Sequence, residues 1–139
     1  MNANIPNTRA ANHEQSASER QRILIVDDEP AILFAYQKLF EREGYLVDVC
    51  ETPDQSMEMI KNRSYFAVIS DMRFGGTDNE EGFKILRSIR EKKQKTIVIL
   101  ISGTGESTGV QAWQNLGVSH YFAKPVQPEL LLCALKSAG

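Results

Sequence analysis

The chain lacks several features that mark secreted and membrane-bound proteins. Its 139 residues include only two cysteines, Cys50 and Cys133, and these do not form a CxxC pair. A small disulfide-stabilised scaffold needs more cysteines, so we expect a reduced, cytoplasmic setting. The longest apolar runs have the length of a strand, which predicts no membrane-spanning segment. The first residues also lack the apolar core of a signal peptide.

A strong excess of charge of either sign is also missing. The formal net charge is −2, which gives no electrostatic reason to expect direct nucleic-acid binding. The length allows one domain with a proper core rather than two. The first 20 residues contain almost no large apolar side chains and cannot offset their ordering entropy. We therefore expect a disordered tail over residues 1–20 and a folded domain over residues 21–139.

From residue 22 onward, short apolar runs alternate with helical stretches. The runs predict five strands, at residues 23–26, 45–50, 65–71, 96–101 and 118–122. A helix is predicted after each strand, at residues 30–43, 53–62, around 82–89, 110–116 and around 131–138. Right-handed crossovers between such units give a doubly wound α/β fold, with a five-stranded parallel sheet flanked by five helices.

Polar side chains follow the predicted strands at the points where the strands end. Asp27 and Asp28 follow the first strand, Asp71 closes the third, Ser102 follows the fourth and Lys124 follows the fifth. The carboxyl ends of parallel strands share one edge of the sheet, so these groups should converge in one crevice. Three carboxylates, a hydroxyl and an ammonium suit a divalent cation and a phosphoryl group. Simpler interpretations are that Asp27 and Asp28 cap the next helix and that Lys124-Pro125 forms an ordinary turn.

These motifs resemble the receiver domain of two-component response regulators. The matching residues are Ile25-Val26-Asp27-Asp28-Glu29-Pro30, Asp71, Ser102-Gly103 and Tyr121-Phe122-Ala123-Lys124-Pro125. The resemblance covers the chain from about residue 22 and implies the flavodoxin-like strand order 2-1-3-4-5. It also implies a Mg²⁺ site in which Asp28 and Asp71 bind the ion directly. Asp27 would act mainly through water, and the Arg73 backbone carbonyl would complete the protein ligands.

The resemblance also implies a chemical role for each remaining residue. Asp71 would attack a phosphoryl group carried on a phosphohistidine and form an acyl phosphate, with Lys124 neutralising the phosphoryl oxygens. Ser102 would hydrogen-bond the new phosphoryl group, and Tyr121 would turn inward and change the surface. Tyr121 is equally compatible with a static strand position. Such a domain is a phosphoacceptor for signalling rather than an enzyme.

The implied partners are a histidine kinase or histidine phosphotransfer protein and a downstream protein target. Homodimer formation on phosphorylation is a further outcome compatible with the family. The chain ends with the last predicted helix, so we expect a stand-alone regulator or a phosphorelay shuttle without an output domain. The alternatives are a receiver excised from a larger regulator or hybrid kinase, and a binding module that works without phosphorylation.

The loop after Asp71 departs from the family pattern, in which a Met-Pro pair is usual. Here Met72-Arg73 leads into a longer loop with two glycines and no proline. This departure leaves the lifetime of the acyl phosphate open. An aspartate-dependent phosphatase of the haloacid dehalogenase type needs a D-x-D on one strand, which the chain lacks. A flavodoxin-like electron carrier is disfavoured because Asp27-Asp28-Glu29 would repel the cofactor phosphate.

Overall fold

A parallel five-stranded sheet forms the centre of the protein. The computed structural model describes residues 20–71, 80–92, 95–102 and 117–138. Neighbouring strands are all parallel and follow the order β2-β1-β3-β4-β5, as expected. The interior strands are therefore β1, β3 and β4, and the edge strands are β2 and β5. The strands are β1 (Arg22–Val26), β2 (Leu46–Cys50), β3 (Ala67–Asp71), β4 (Ile97–Ser102) and β5 (His120–Ala123).

Four helices flank the sheet within the described residues. They are α1 (Pro30–Arg42), α2 (Pro53–Asn62), α3 (Glu80–Glu91) and α4 (Pro128–Ala138). The predicted helix at 110–116 lies outside the described residues, as do the predicted tail up to residue 19 and the loop that contains Arg73. Four of the five expected helices are thus confirmed. Across the described ranges, no helix combines the length and apolarity that crossing a membrane requires.

Local signals in the sequence explain where the first two helices begin and end. Pro30 and Pro53 stand at the starts of α1 and α2, where a missing backbone N–H costs nothing. The Thr52 hydroxyl caps α2 by accepting a hydrogen bond from the Gln55 backbone N–H at 3.1 Å. After α1 the chain turns at Gly44, whose φ of +99° is unfavourable for any residue with a side chain.

The two faces of the sheet bury two separate apolar clusters. Successive strand residues point to opposite faces, so Leu24 and Val26 join one cluster while Ile23 and Ile25 join the other. Helices α2 and α3 cover the first cluster, which contains the side chain of Ile60. Helices α1 and α4 cover the second. The interior strands are buried on both faces, which explains why their sequences are continuous apolar runs.

Strand β5 begins later than the sequence predicted. Its ladder starts at His120 rather than at residue 118. The reason is Ser119, whose hydroxyl accepts a hydrogen bond from the Val98 backbone N–H at 3.1 Å. The Ser119 backbone N–H in turn donates to the Val98 carbonyl at 2.8 Å. The Ser119 hydroxyl thus accepts the hydrogen bond that a β5 backbone carbonyl would otherwise accept. Regular backbone pairing between β4 and β5 begins at the next residue, His120.

A polar cluster holds the edge strand β2 against its neighbours. Asp48 lies in the middle of β2, and its Oδ1 accepts a hydrogen bond from Arg22 Nη1 at 2.9 Å. Its Oδ2 accepts one from the Tyr65 hydroxyl at 2.7 Å, and Arg63 Nη1 lies 3.7 Å away. Burial raises the pKa of the Tyr65 phenol, and the Asp48 carboxylate adds to the rise. Tyr65 therefore remains a hydrogen-bond donor at neutral pH.

Candidate functional site

Three carboxylates meet where β1 and β3 end. Val26 pairs with Ser70 in the parallel ladder, which places the next residues, Asp27 and Asp71, beside each other. Carboxylate oxygens of Asp27, Asp28 and Asp71 all lie within 4.8 Å of one another. Asp27 and Asp71 are buried, whereas Asp28 is exposed. The convergence predicted from the strand ends is therefore present for these three residues.

The position of Asp27 is determined by its backbone neighbours. Its Oδ1 accepts a hydrogen bond from the Glu29 backbone N–H at 2.9 Å, and its own N–H donates to the Cys50 carbonyl at 3.2 Å. The N-cap residue of α1 is Glu29, which makes no side-chain capping bond. Asp27 therefore shapes the turn before α1, and neither Asp27 nor Asp28 occupies the capping position that the simpler interpretation assigned to them.

The acidic cluster is electrostatically strained. Burial raises the pKa of the Asp27 carboxyl, and the nearby charges of Asp71 and Asp28 add to the rise. The Glu29 N–H bond and the positive charge of Lys124 act in the opposite direction. The balance still favours the protonated form relative to an ordinary aspartate. A cation placed among the three carboxylates would relieve this strain.

Lys124 supplies the positive charge that faces this cluster. Its Nζ donates a hydrogen bond to Asp71 Oδ2 at 2.6 Å, and the Asp71 side chain is only 3% exposed. Lys124 follows β5 directly, and the Lys124-Pro125 peptide bond is cis. Because β4 lies between β3 and β5, the lysine side chain reaches past the end of β4 to the carboxylate. Lys124 and Asp71 therefore meet as the strand-end pattern predicted.

Ser102 and Tyr121 lie on the strands next to this pair. Ser102 is the last residue of β4 and pairs with Ala123, although its side chain lies outside what the structure describes. Tyr121 pairs with Leu100, is half-buried and packs against the apolar cluster beneath α2 and α3. The switch roles expected for Ser102 and Tyr121 stay predictions, since half-burial fits a static Tyr121 equally well. Arg73 lies outside the described residues.

Tyr36 is a neighbour of the site that the sequence pattern did not identify. Tyr36 lies on α1 and packs on Phe40 with ring centres 6.0 Å apart. Burial raises the pKa of its phenol, and the negative charges of Asp27 and Asp71 add to the rise. Its place on one helical face with Leu33 and Phe40 is visible in the sequence, but its closeness to the carboxylates is not.

The donor set fits a hard divalent cation. Three carboxylate oxygens are the ligands that Mg²⁺ and Ca²⁺ prefer, and a site of one exposed and two buried carboxylates leaves room for water or phosphate. Soft metals favour thiolate ligands, and the nearby Cys50 thiol is unsuited to this role because burial raises its pKa to about 12. Asp27, Asp28 and Asp71 are therefore the residues able to hold a metal here.

Comparison with known proteins places this geometry in a family. A family model described as the response regulator receiver domain matches residues 23–136. The chain is 32% identical over 116 residues to the transcriptional regulatory protein ResD of Bacillus subtilis, covering 84% of this chain and 47% of that protein. It is 32% identical over 112 residues to the two-component response regulator ARR14 of Arabidopsis thaliana, covering 79% and 28% respectively. The chain thus spans less than half the length of either relative.

Solved structures agree with this assignment. A CheY-like receiver domain protein from Methanospirillum hungatei is 28% identical and superimposes with a TM-score of 0.77, covering 86% of this chain and 94% of that one. A receiver domain from Clostridium thermocellum is also 28% identical, with a TM-score of 0.75 and coverage of 85% and 93%. The acidic cluster and Lys124 lie within residues 23–136, the span that the family model matches. The chain therefore belongs to the response regulator receiver domain family of two-component signalling.

Proposed function

We propose that the domain accepts a phosphoryl group from a phosphohistidine donor onto Asp71. The observation that carries this proposal is the 2.6 Å contact between Lys124 Nζ and the buried Asp71 carboxylate, inside a cluster of three carboxylates. A purely structural ion pair has no need of two further carboxylates within 4.8 Å. Such crowding of like charge is typical of functional sites.

The transfer itself is a displacement at phosphorus. An Asp71 carboxylate oxygen forms a bond to the phosphorus as the bond to the donor histidine nitrogen breaks, and the electron pair returns to the imidazole. Lys124 already contacts Asp71 Oδ2, so its ammonium lies where negative charge develops on the phosphoryl oxygens. No general base is required, because the attacking carboxylate has no proton to lose, and the imidazole leaves as a neutral group when its other ring nitrogen carries a proton.

We assign Mg²⁺ to Asp28 and Asp71, with Asp27 acting mainly through water and the Arg73 backbone carbonyl as a further ligand. A bound divalent ion supplies charge neutralisation for the phosphoryl oxygens. Burial raises the pKa of Asp27, and the neighbouring carboxylates add to the rise; a bound cation would offset both effects, which supports this assignment. The chain's own contribution is to hold two of the carboxylates at the ends of adjacent, fully paired strands.

We further propose that Ser102 and Tyr121 convert phosphorylation into a change of surface. Ser102 ends β4, the strand between β3, which carries Asp71, and β5, which leads to Lys124. Its hydroxyl would donate a hydrogen bond to a phosphoryl oxygen, and Tyr121 would move further into the space beside β4. Tyr121 is half-buried and packs against the cluster beneath α2 and α3, so part of its side chain is still exposed. The altered surface would lie on β5 and its adjoining helices.

The partners proposed for this chain are a histidine kinase or phosphotransfer protein as donor and a protein as target, in the cytoplasm. Homodimer formation on phosphorylation is one form that the output could take. ResD is named a transcriptional regulatory protein, but the chain matches only 47% of it. We place the receiver at residues 21–139 and propose no direct contact with nucleic acid. The same chemistry would serve a stand-alone regulator, a relay shuttle or the receiver part of a longer protein.

The proposal is tested by intact-protein mass after incubation with acetyl phosphate and Mg²⁺. We expect the mass of one added phosphoryl group on the wild type, and no adduct in EDTA or in the Asp71→Asn variant. The Glu51→Gln variant, with the same loss of one carboxylate at an exposed site, should label like the wild type. Absence of the adduct, together with no response of the fold to beryllofluoride, would reject phosphotransfer in favour of a phosphorylation-independent binding module.

A further inference from the structure

A groove of about 530 Å³ separates α2 from α3 on the outer surface of the protein. Asp54, Met57 and Glu58 line it from α2, and Ser88 and Glu91 line it from α3. A volume of this size is sufficient for several side chains of a bound molecule. No residue of the acidic cluster or its lysine contributes to the groove, so it is a second surface rather than an extension of the first.

Carboxylates outnumber positively charged side chains along this groove. Asp54, Glu58 and Glu91 contribute three negative charges, and Lys61 contributes a positive one. All four of these side chains are exposed. The three carboxylates lie at different positions along α2 and α3, so one extended partner would be able to reach more than one of them.

A second lysine at the groove, Lys92, is hydrogen-bonded to backbone carbonyls of the protein. Its Nζ donates hydrogen bonds to the carbonyls of Ile60 at 2.7 Å, Arg63 at 3.2 Å and Lys61 at 3.4 Å. These carbonyls belong to the end of α2, where the helix dipole places partial negative charge. These hydrogen bonds hold the ammonium of Lys92 at the end of α2, and the three carboxylates and two lysines of the groove sum to one negative charge.

The apolar part of the groove is supplied by Met57. This side chain is half-buried and packs against the apolar cluster beneath α2 and α3 while also lining the groove. Methionine is flexible and polarisable, which makes it well suited to contact with partners of varied shape. An arginine side chain matches this combination, because its stem can lie on Met57 while its guanidinium forms paired hydrogen bonds with a carboxylate.

We propose that the groove between α2 and α3 binds a basic segment of another protein through arginine side chains. Charge complementarity with Asp54, Glu58 and Glu91 selects this occupant over an acidic or uncharged one. The groove lies on the face covered by α2 and α3, whereas α1 and α4 cover the opposite face. A partner held here leaves the edge with Asp71 open. The inference does not depend on phosphotransfer.

The test uses a helical peptide with arginines four residues apart and leucines beside them, titrated into the ¹⁵N-labelled chain of 139 residues. A matched peptide carries citrulline, which keeps the shape of arginine but lacks its charge. The groove variant is Asp54→Asn/Glu58→Gln/Glu91→Gln. The control variant, Glu41→Gln/Glu51→Gln/Glu129→Gln, changes the net charge equally at exposed residues elsewhere. Far-UV circular dichroism verifies that both variants are folded.

Binding in the groove should shift the amide resonances of Met57, Ser88 and Lys92 in the wild type. Loss of three exposed ion pairs should weaken the groove variant about tenfold or more, and the citrulline peptide should be weakened similarly. The control variant should stay within about twofold of the wild type, since none of its three carboxylates lines the groove. The proposal is overturned if the shifts centre elsewhere, if both variants weaken equally, or if millimolar arginine peptide leaves the groove resonances unchanged.

Discussion

Replacement of Lys124 by methionine tests how strongly the acidic cluster depends on one positive charge. The ammonium contacts Asp71 Oδ2 at 2.6 Å, and the carboxylate side chain is 3% exposed. Removing one partner of a fully buried ion pair costs about 3–5 kcal/mol. The Lys124 side chain is 27% exposed, so solvent already weakens the interaction. We therefore expect Lys124→Met to lower the free energy of unfolding by about 2 kcal/mol without metal.

The companion variant Asp71→Asn should cost much less. It removes the same ion pair, but it also removes one of three mutually repelling carboxylates and leaves an ammonium that can turn towards water. We expect a change below about 1 kcal/mol. The double variant should resemble Asp71→Asn alone, so the coupling between the two positions should be about 2 kcal/mol.

Urea unfolding followed by circular dichroism in EDTA measures these differences. A loss of about 2 kcal/mol moves the midpoint by roughly 1 M at a slope near 2 kcal/mol/M. Added Mg²⁺ should restore more stability to Lys124→Met than to the wild type, because the variant has a larger excess of negative charge to neutralise. Additive costs for the two substitutions, or a Lys124→Met midpoint equal to that of the wild type, would refute this account of the cluster.

Three further variants or reagents test separate parts of the structure. Asp27→Asn should raise the stability of the metal-free protein by on the order of 1 kcal/mol and weaken Mg²⁺ binding. Because burial raises the Asp27 pKa, wild-type stability should fall as the pH rises from the ordinary aspartate value through the raised one, and thermal unfolding of the Asn variant should lack that component. An Ellman titration at pH 8 should label exposed Cys133 rapidly and buried Cys50, with a pKa of about 12, only after unfolding; two fast thiols would contradict this. Gly117→Ala should cost about 1–2 kcal/mol, since Gly117 has φ +89° and its new Cβ would lie 3.0 Å from Arg90 Nε; an unchanged urea midpoint would argue against it.

The sheet could be predicted because its interior strands are buried on both faces. Burial on both sides requires continuous apolar runs, and such runs are visible in the sequence around Ile25, Ile69 and Ile99. The strand order, by contrast, came from the family resemblance, since no local pattern specifies which strands become neighbours. The late start of β5 was missed because the Ser119 hydroxyl occupies a backbone position in the ladder, and composition does not reveal this.

The acidic cluster was predictable because each of its residues ends or directly follows a strand, and parallel strands end at a common edge. The roles of Tyr36 and Lys92 were not, because each depends on which face of a helix meets a particular neighbour. Lys92 is one of several lysines in a polar stretch, and only the packing of α3 beside α2 brings it to three carbonyls. Long-range side-chain contacts of this kind require the tertiary structure.

Asp48 also has a consequence for how the protein behaves at high concentration. An edge strand such as β2 presents unpaired backbone groups to which a strand from a second molecule can add, and this is a common route to aggregation. A charged side chain in the middle of the strand opposes such addition. Because Arg22 and Tyr65 hold the Asp48 carboxylate in place, it cannot simply swing aside. The cluster that fastens β2 to the sheet thus also protects the protein from edge-to-edge polymerisation.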